Sequence, residues 1–334
     1  MEKVNIAVIG ATGMVGRTLL KVLEERDFPI KKLYLFASAK SKGKTIEVHG
    51  KEYEVEELTE NSFRRDIDIA LFSAGGEISK KFAVIAKNNG AIVIDNSSAW
   101  RMDKNVPLIV PEVNPEDIKW HNGIIANPNC STIQSVAPLK PLHDAFKIKR
   151  IVYSTYQSVS GSGVGGLKDL ENGVKGLKNK KYPHQIAYNC IPHIDEFLGN
   201  GYTKEEMKMI EETKKILNDV SLKITATTVR VPVKYSHSIS TNIEFEKEFE
   251  LSKVEELLND FPSIIVQDDI FNNVYPLAIN AQGTDQVYVG RIRRDFSIDN
   301  GINMWIVADN IRKGAATNTI QIAELVLKEY YKKI

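Results

Sequence analysis

Two clusters along the 334-residue chain hold residues whose types and spacing could do chemistry. The first is Gly10-Ala11-Thr12-Gly13-Met14-Val15-Gly16, between an apolar run that starts at Val4 and a stretch with helical periodicity. Glycines there let backbone come close to a pyrophosphate, and the following helix offers unpaired N–H groups and positive partial charge. The spacing departs from the commoner G-x-G-x-x-G form, so its weight comes from its position inside a strand–turn–helix pattern. The second cluster is Asn127-Pro128-Asn129-Cys130-Ser131-Thr132. It follows the strand-like Ile124-Ile125-Ala126 and opens an apolar helix bearing Ile133, Val136 and Leu139, which Ser131 or Thr132 is expected to cap. A helix N-terminus favours the thiolate, the nucleophilic form of cysteine. Cys190, within Tyr188-Asn189-Cys190-Ile191-Pro192, has no such setting and reads as structural.

A third segment bears on the nucleotide that the glycine loop could hold. A site for NAD places Asp or Glu at the end of the second strand, on the ribose 2′-hydroxyl. Here that position reads Ala37-Ser38-Ala39-Lys40-Ser41-Lys42-Gly43-Lys44, without a carboxylate. Cations and hydroxyls suit a 2′-phosphate, so NADP is the expected cofactor.

The elements that must position these clusters follow from patterning. Residues 4–9, 33–37, 67–72, 91–94, 108–110 and 124–126 read as buried strands, with helices over 14–25 and 78–88 and a polar hairpin-like stretch over 44–57. Strands alternating with helices imply βαβ units and a parallel sheet. After about residue 130 the texture changes to longer, partly alternating strands over 148–156, 222–233, 238–249, 286–294 and 303–308. Helices over 164–177 and 204–217 interrupt them, and a last helix over 315–331 carries Ile320, Ile322, Leu325 and Val326 on its apolar side. The expected fold class is α/β: a Rossmann-like dinucleotide-binding domain over 1–128 and an α+β domain with an extended mixed sheet over 129–313. The helix over 314–334 is expected to pack back onto the first.

Composition removes several function classes. Lys plus Arg is 44 and Asp plus Glu 43, a formal net charge of +1, which lacks the basic field of a nucleic-acid binder. No apolar stretch approaches the roughly 18 residues of a membrane span. Two cysteines are too few for a disulfide framework, and the strand-like start at Val4 leaves no room for a presequence, so a cytoplasmic location is expected. No metal is expected.

The motifs together resemble the aspartate-β-semialdehyde dehydrogenase family. They are the glycine loop, Ser97-Ser98-Ala99-Trp100-Arg101, Asn127 to Thr132, Gln157-Ser158-Val159-Ser160-Gly161-Ser162-Gly163, and Arg230-Val231-Pro232-Val233 followed by Ser236-His237-Ser238. The resemblance runs over essentially the whole chain. It implies NADP-dependent, phosphorylating oxidation of L-aspartate 4-semialdehyde to L-4-aspartyl phosphate. In cells the reaction runs in reverse, on the route to diaminopimelate, lysine, threonine and methionine. It implies Cys130 as nucleophile, His237 as acid/base and Gln157 as the residue orienting substrate beside the thiol. Arg230 would grip the substrate carboxylate and Glu205 its ammonium group, with Glu206 as the alternative register. Arg101, Lys208 and Asn129 would hold phosphate. Gly10, Thr12, Gly13, Met14, Val15, Lys40, Ser41, Ser73, Ala74, Gly75, Ser160, Gly161 and Asn310 would line the NADP site. The family commonly forms a homodimer through the second-domain sheet, and sometimes a tetramer.

Spacing alone reads part of this differently. Thr203-x-x-Glu206 is a capping box, Glu205 with Lys208 an i,i+3 pair, and His237 one of six histidines. N-acyl-γ-glutamyl-phosphate reductase shares the architecture, but its cysteine motif usually has Gly before the Cys and an aromatic after it, where Asn129 and Ser131 stand here. A non-catalytic dinucleotide-binding relative would be expected to lack the thiol or the histidine.

Overall fold

The computed structural model describes residues 3–330 and divides into two compact units, residues 3–129 with 315–330 and residues 130–314. Tyr331 and the rest of the expected C-terminal extension lie outside the described residues.

In the first unit, β1 (Val4–Ile9) is buried at all six positions, as a strand covered on both faces must be. The turn after it leads into α1 (Met14–Glu25), and β2 (Ile30–Ala37) returns parallel to β1. The hairpin-like stretch is an antiparallel pair, β3 (Thr45–Val48) and β4 (Lys51–Glu57), whose second strand joins β2 in parallel. β5 (Ile69–Phe72), α2 (Gly76–Asn88), β6 (Ile92–Asp95) and β7 (Ile124–Ala126) complete a seven-stranded sheet of order β3-β4-β2-β1-β5-β6-β7. The order reverses direction between β1 and β5, the switch point at which such sheets bind ligands.

The expected strand over 108–110 does not form. Only Leu108 bridges Ala126, because Pro107 and Pro111 flank the segment and neither can donate to a ladder. The last helix begins at Thr317 after a π-helical turn over Arg312–Ala316, and its Ile320, Ile322, Ala323, Val326 and Leu327 join the core formed by Leu19, Leu23, Val8 and Leu71.

The second unit opens with α3 (Cys130–Phe146), which has buried residues on every side and so runs through a core. It starts at Cys130, placing Ser131 and Thr132 inside its first turn and not at its cap. There follow β8 (Ile148–Gln157), α4 (Gly163–Val174), α5 (Lys204–Ile216), β9 (Lys223–Arg230), β10 (His237–Phe245), α6 (Leu251–Asn259), β11 (Ile264–Val266), β12 (Val287–Asp295) and β13 (Gly301–Ala308). The sheet order is β11-β12-β13-β10-β8-β9, mixed because β8/β9 and β11/β12 are parallel and the other pairs antiparallel. Leu139 and Leu142 from α3, Met209 and Ile210 from α5, and Val254 and Leu258 from α6 pack on one face against Ile151, Tyr153, Ile239 and Ile306.

Two strands are shorter than their patterning suggests. β9 stops at Arg230, before Pro232, and β10 stops at Phe245. The helix α6 was not apparent in the sequence, although Leu251, Val254 and Leu258 follow helical spacing. Among the described residues no helix is long and apolar enough to cross a membrane, and no group of three or more His, Cys, Asp or Glu could hold a metal.

The glycine loop shows why small residues are needed. Gly10 has φ +85°, and a Cβ on Gly16 would lie 2.2 Å from the Gly10 carbonyl oxygen. Gly16→Ala should therefore force α1 away from β1 and cost about 1–3 kcal/mol. A Cβ at Gly199 meets nothing within 4 Å. Thermal unfolding followed by circular dichroism should show a lowered Tm for Gly16→Ala and an unchanged one for Gly199→Ala.

Candidate active site

In the first unit the polar features gather at the C-terminal ends of β1, β2 and β5. The peptide groups of Gly10 and Ala11 are tied to β2 through the Phe36 carbonyl, at 2.8 and 3.1 Å. A Cβ on Gly10 would lie 3.0 Å from both the Ser73 carbonyl oxygen and its Oγ, so the turn fits only without one. α1 begins after Gly13 with neither a side-chain cap nor an acidic residue in its first turn, and α2 begins after Gly75 with no side-chain cap. These helix N-termini, at neighbouring strand ends, present N–H groups to an anion. Thr12 Oγ1 stands 3.3 Å from Ser41 Oγ, and Lys40 beside it is exposed. The structure thus brings Gly10, Thr12, Gly13, Ser41, Ser73 and Gly75 to one end of the sheet, with Met14, Val15, Lys40 and Ala74 as chain neighbours. These residues fit a dinucleotide: a cradle that a Cβ would fill, helix starts without side-chain caps, and the Thr12 and Ser41 hydroxyls next to an exposed lysine.

Arg101 belongs to a buried polar cluster of the same unit. Its Nε donates to the Asn127 carbonyl at 2.9 Å and an Nη to the Asn96 carbonyl at 3.0 Å. Asn127 Nδ2 donates to Asn96 Oδ1 at 2.6 Å, and Asn318 from the C-terminal helix donates to Asn127 Oδ1 at 2.7 Å. Asp95, buried at the end of β6, has its carboxyl pushed above the usual range by that burial, with Ser97 opposing. Asn129, also buried, ends the unit.

In the second unit the candidate residues come from six segments. Cys130 heads α3, and one turn on Gln134 Nε2 donates to the His237 carbonyl at 3.1 Å, tying the thiol's helix to the first residue of β10. A Cβ on Gly314 would lie 2.9 Å from the Cys130 Cβ, so the end of the segment after β13 lies directly against the cysteine. His237 is fully buried; the Ser158 backbone N–H donates to its Nδ1 at 3.0 Å. Asn310 Oδ1 accepts from Ser158 Oγ, Ser160 Oγ and the Ser236 N–H, at 3.1, 3.1 and 3.0 Å.

Arg230, paired with Gln157 across β9 and β8, donates from Nη1 to the Ser158 carbonyl at 2.7 Å. Gln157 Nε2 donates to Glu205 Oε1 at 3.1 Å, and Lys208 Nζ reaches Glu205 at 3.2 Å and Asp195 at 2.6 Å. Glu206 does not join this chain. Its two oxygens are taken by the Thr203 N–H, closing the capping box, and by the Thr228 N–H. A Cβ on Gly161 would lie 2.9 Å from an Arg230 Nη and 3.3 Å from His237 Nε2, so this glycine keeps the space beside both groups open.

Three buried nitrogens of this cluster have no hydrogen-bond partner: His237 Nε2, Arg230 Nε and Asn310 Nδ2. Buried polar atoms are nearly always paired, so three orphans in one cluster mark a place for polar atoms of a ligand. Burial first, and then the Arg230 charge, lower the His237 pKa to about 3, with Glu205 opposing; the ring is neutral at physiological pH. Sequence reasoning did not single out Ser158, Gln134 or Gly314. Ser158 lay inside a quoted motif, whereas Gln134 and Gly314 carry no signal before the chain is folded.

Family models agree with this division. One described as "Semialdehyde dehydrogenase, NAD binding domain" matches residues 5–121, and one described as "Semialdehyde dehydrogenase, dimerisation domain" matches residues 139–313. The aspartate-semialdehyde dehydrogenase of Aquifex aeolicus is 57% identical over 97% of this chain and 98% of its own. The crystal structure of aspartate semialdehyde dehydrogenase II from Vibrio cholerae, complexed with ASA, superposes with a TM-score of 0.95 at 47% identity, covering 99% of this chain and 100% of that one. The Candida albicans aspartate semialdehyde dehydrogenase with NADP has a TM-score of 0.77 at 25% identity, over 97% and 98%. A glycine cradle for a nicotinamide dinucleotide, a thiol heading a buried helix and relatives matched along the full length lead to one conclusion: the chain belongs to the aspartate-semialdehyde dehydrogenase family of oxidoreductases.

Proposed function

We propose that this chain catalyses the NADP-dependent, phosphorylating oxidation of L-aspartate 4-semialdehyde to L-4-aspartyl phosphate, running physiologically in reverse in amino-acid biosynthesis. The observation that carries the reading is the cluster of orphaned buried nitrogens, His237 Nε2, Arg230 Nε and Asn310 Nδ2, in the unit whose first residue is Cys130. The family's substrate carries a carboxylate and a carbonyl oxygen, and the bound cofactor a carboxamide, all of which accept hydrogen bonds.

The residues divide the work by chemistry. Cys130, at the N-terminus of α3, adds as thiolate to the aldehyde carbon and holds the acyl group as a thioester. Gln157 orients the substrate beside it. Arg230 takes the substrate α-carboxylate through its planar fork, and Glu205 takes the ammonium group. His237 acts as the acid/base toward the oxygen that the carbonyl carries during reaction. Arg101, Lys208 and Asn129 hold phosphate. The bound nicotinamide accepts or returns the hydride. Gly10, Thr12, Gly13, Met14, Val15, Lys40, Ser41, Ser73, Ala74, Gly75, Ser160, Gly161 and Asn310 hold that cofactor. Exposed Lys40 and the Ser41 hydroxyl, with no carboxylate nearby in sequence, suit the 2′-phosphate of NADP, and the Candida albicans relative was solved with NADP. Two cysteines are too few for a disulfide framework, which suits a reducing compartment such as the cytoplasm.

The open face of the second unit's sheet supports a homodimer. Tyr156 and Trp305 meet there with ring centroids 5.3 Å apart and planes tilted by 54°, beside a cavity of about 560 Å³ lined by Tyr275, Leu277, Met304 and Trp305. Phe271 and Ile279 are 92% and 78% exposed, apolar surface that a second copy would cover.

Cys130→Ala should abolish turnover while leaving NADPH fluorescence titration unchanged, and Cys190→Ala should retain activity. Normal turnover in Cys130→Ala would remove it as nucleophile. Steady-state kinetics of the wild type should favour NADP over NAD, and Lys40→Asp with Ser41→Ala should narrow or invert that preference. Equal kcat/KM for both cofactors in the wild type would defeat the 2′-phosphate reading. Sedimentation at micromolar concentration should show a dimer, and Trp305→Arg should shift it toward monomer; a wild-type monomer would contradict the assembly.

A further inference from the structure

We infer that Thr155 is a positioning residue of the site: its hydroxyl holds the Gln157 amide oxygen inside the protein, so that Gln157 offers the substrate only N–H. The inference rests on the proposed function and deepens it, because it makes an oxygen of the substrate, and not its ammonium group, the partner of Gln157.

Alternation along β8 puts Tyr153, Thr155 and Gln157 on the face that the helices cover, and all three are buried. Their register partners on β9 are Ala226, Thr228 and Arg230. Thr155 thus stands between a core position and a binding position. The Val229 backbone N–H can only donate, and it reaches Thr155 Oγ1 at 3.3 Å. One lone pair of the hydroxyl is taken there, and its proton goes to Gln157 Oε1 at 3.0 Å. On its other side the amide donates from Nε2 to Glu205 Oε1 at 3.1 Å, while Lys208 holds Oε2 of that carboxylate at 3.2 Å. Turning the amide over would set its oxygen against Glu205 Oε1, two acceptors with no proton between them. It would also leave the Thr155 hydroxyl accepting twice, its own proton unused. The hydrogen bonds therefore run one way, from Val229 through Thr155 and Gln157 to Glu205.

The consequence is a donor whose aim is fixed. An amide NH2 carries two protons, and the second Nε2–H of Gln157 has no partner among the described residues, although Gln157 is only 1% exposed. Buried donors are nearly always paired, so this N–H awaits an acceptor. Arg230, opposite Gln157 in the ladder, also presents donors only, and its Nε is without a partner. The pair is matched to oxygen, whether carboxylate or carbonyl, and Glu205 is left as the group for a cation. Thr155 acts through Gln157 alone.

Thr155→Val keeps the shape of the side chain and removes the hydroxyl, whereas Thr155→Ser keeps the hydroxyl. With aspartate semialdehyde, NADP and phosphate, Thr155→Val should raise the semialdehyde KM and lower kcat/KM roughly 10- to 100-fold, the scale of a misaligned substrate. The KM values of NADP and phosphate should hold, and Thr155→Ser should stay close to the wild type. Because Thr155→Val also strips the Val229 N–H of its partner, a double-mutant cycle separates positioning from structure. In a Gln157→Leu background, where no amide remains to be aimed, Thr155→Val should cost nothing further. Equal losses in both backgrounds would make Thr155 structural and overturn the inference. Labelling the full chain with 15N-glutamine reads the amide without turnover, Gln157→Leu identifying its signals. The wild type and Thr155→Ser should give one sharp NH2 pair, and Thr155→Val a broadened or doubled pair as the amide samples both orientations. One sharp, unshifted pair in Thr155→Val would overturn the inference whether or not the chain oxidises the semialdehyde. A wild type with a fixed amide and no turnover would instead refute the proposed function. Should Thr155→Val fold poorly, as a lowered Tm would show, Thr155→Ala makes the same comparison.

Discussion

A single amide oxygen organises the reactive end of the second unit. Asn310 Oδ1 accepts hydrogen bonds from Ser158, Ser160 and the Ser236 amide, and so joins the segments that leave β8, enter β10 and follow β13. These segments are loops and one short 3-10 turn over Val159–Ser162, and such segments placed by local propensity alone would not hold a ring nitrogen to a fraction of an ångström. Because Ser158 and Ser160 lie far in sequence from Ser236 and from Asn310, the oxygen fixes these donors only once the sheet has formed. Its consequence is that Ser158 N–H meets His237 Nδ1, and that Asn310 Nδ2 is turned away from its own network, without a partner.

The same cluster runs against ordinary folding energetics. Each buried polar atom without a partner costs on the order of 1–3 kcal/mol, and His237, Arg230 and Asn310 leave three together. The apolar core that holds them is large: α3, α5 and α6 pack Leu139, Leu142, Met209, Ile210, Val254 and Leu258 on the sheet. Stability is thus drawn from one face of the sheet and the helices packed on it, while the strand ends keep polar atoms aimed at a ligand. The chain Thr155–Gln157–Glu205–Lys208–Asp195 shows the other solution, in which neighbouring charges and amides satisfy one another and are held rigid.

In the first unit the constraint is steric. The close approach of α1 to β1, possible because Gly16 has no side chain, sets the start of that helix beside the strand end, where its N–H groups need an anion. The Asn96–Asn127–Asn318 contacts tie the C-terminal helix to this unit, so residues at the two ends of the chain share one core and one polar cluster.

Much of this was legible before folding. Strand–helix alternation, the glycine spacing and the Asn129-Cys130-Ser131 junction are local, because a residue's own neighbours decide whether a turn, a helix start or a buried strand is possible. The failures were local conflicts as well: Pro107 and Pro111 removed the donors that a strand over 108–110 would need, and α6 was too short for its four apolar residues to stand out. What the sequence could not supply is pairing across distance. Glu205 and Glu206 are equivalent in spacing, and only the fold commits Glu206 to the Thr203 and Thr228 amides while turning Glu205 to Gln157. His237 is one of six histidines until its Nδ1 meets the Ser158 amide, 79 residues earlier in the chain. A hydrogen bond's donor and acceptor are set by which backbone groups the tertiary structure brings together, and no periodicity or motif encodes that.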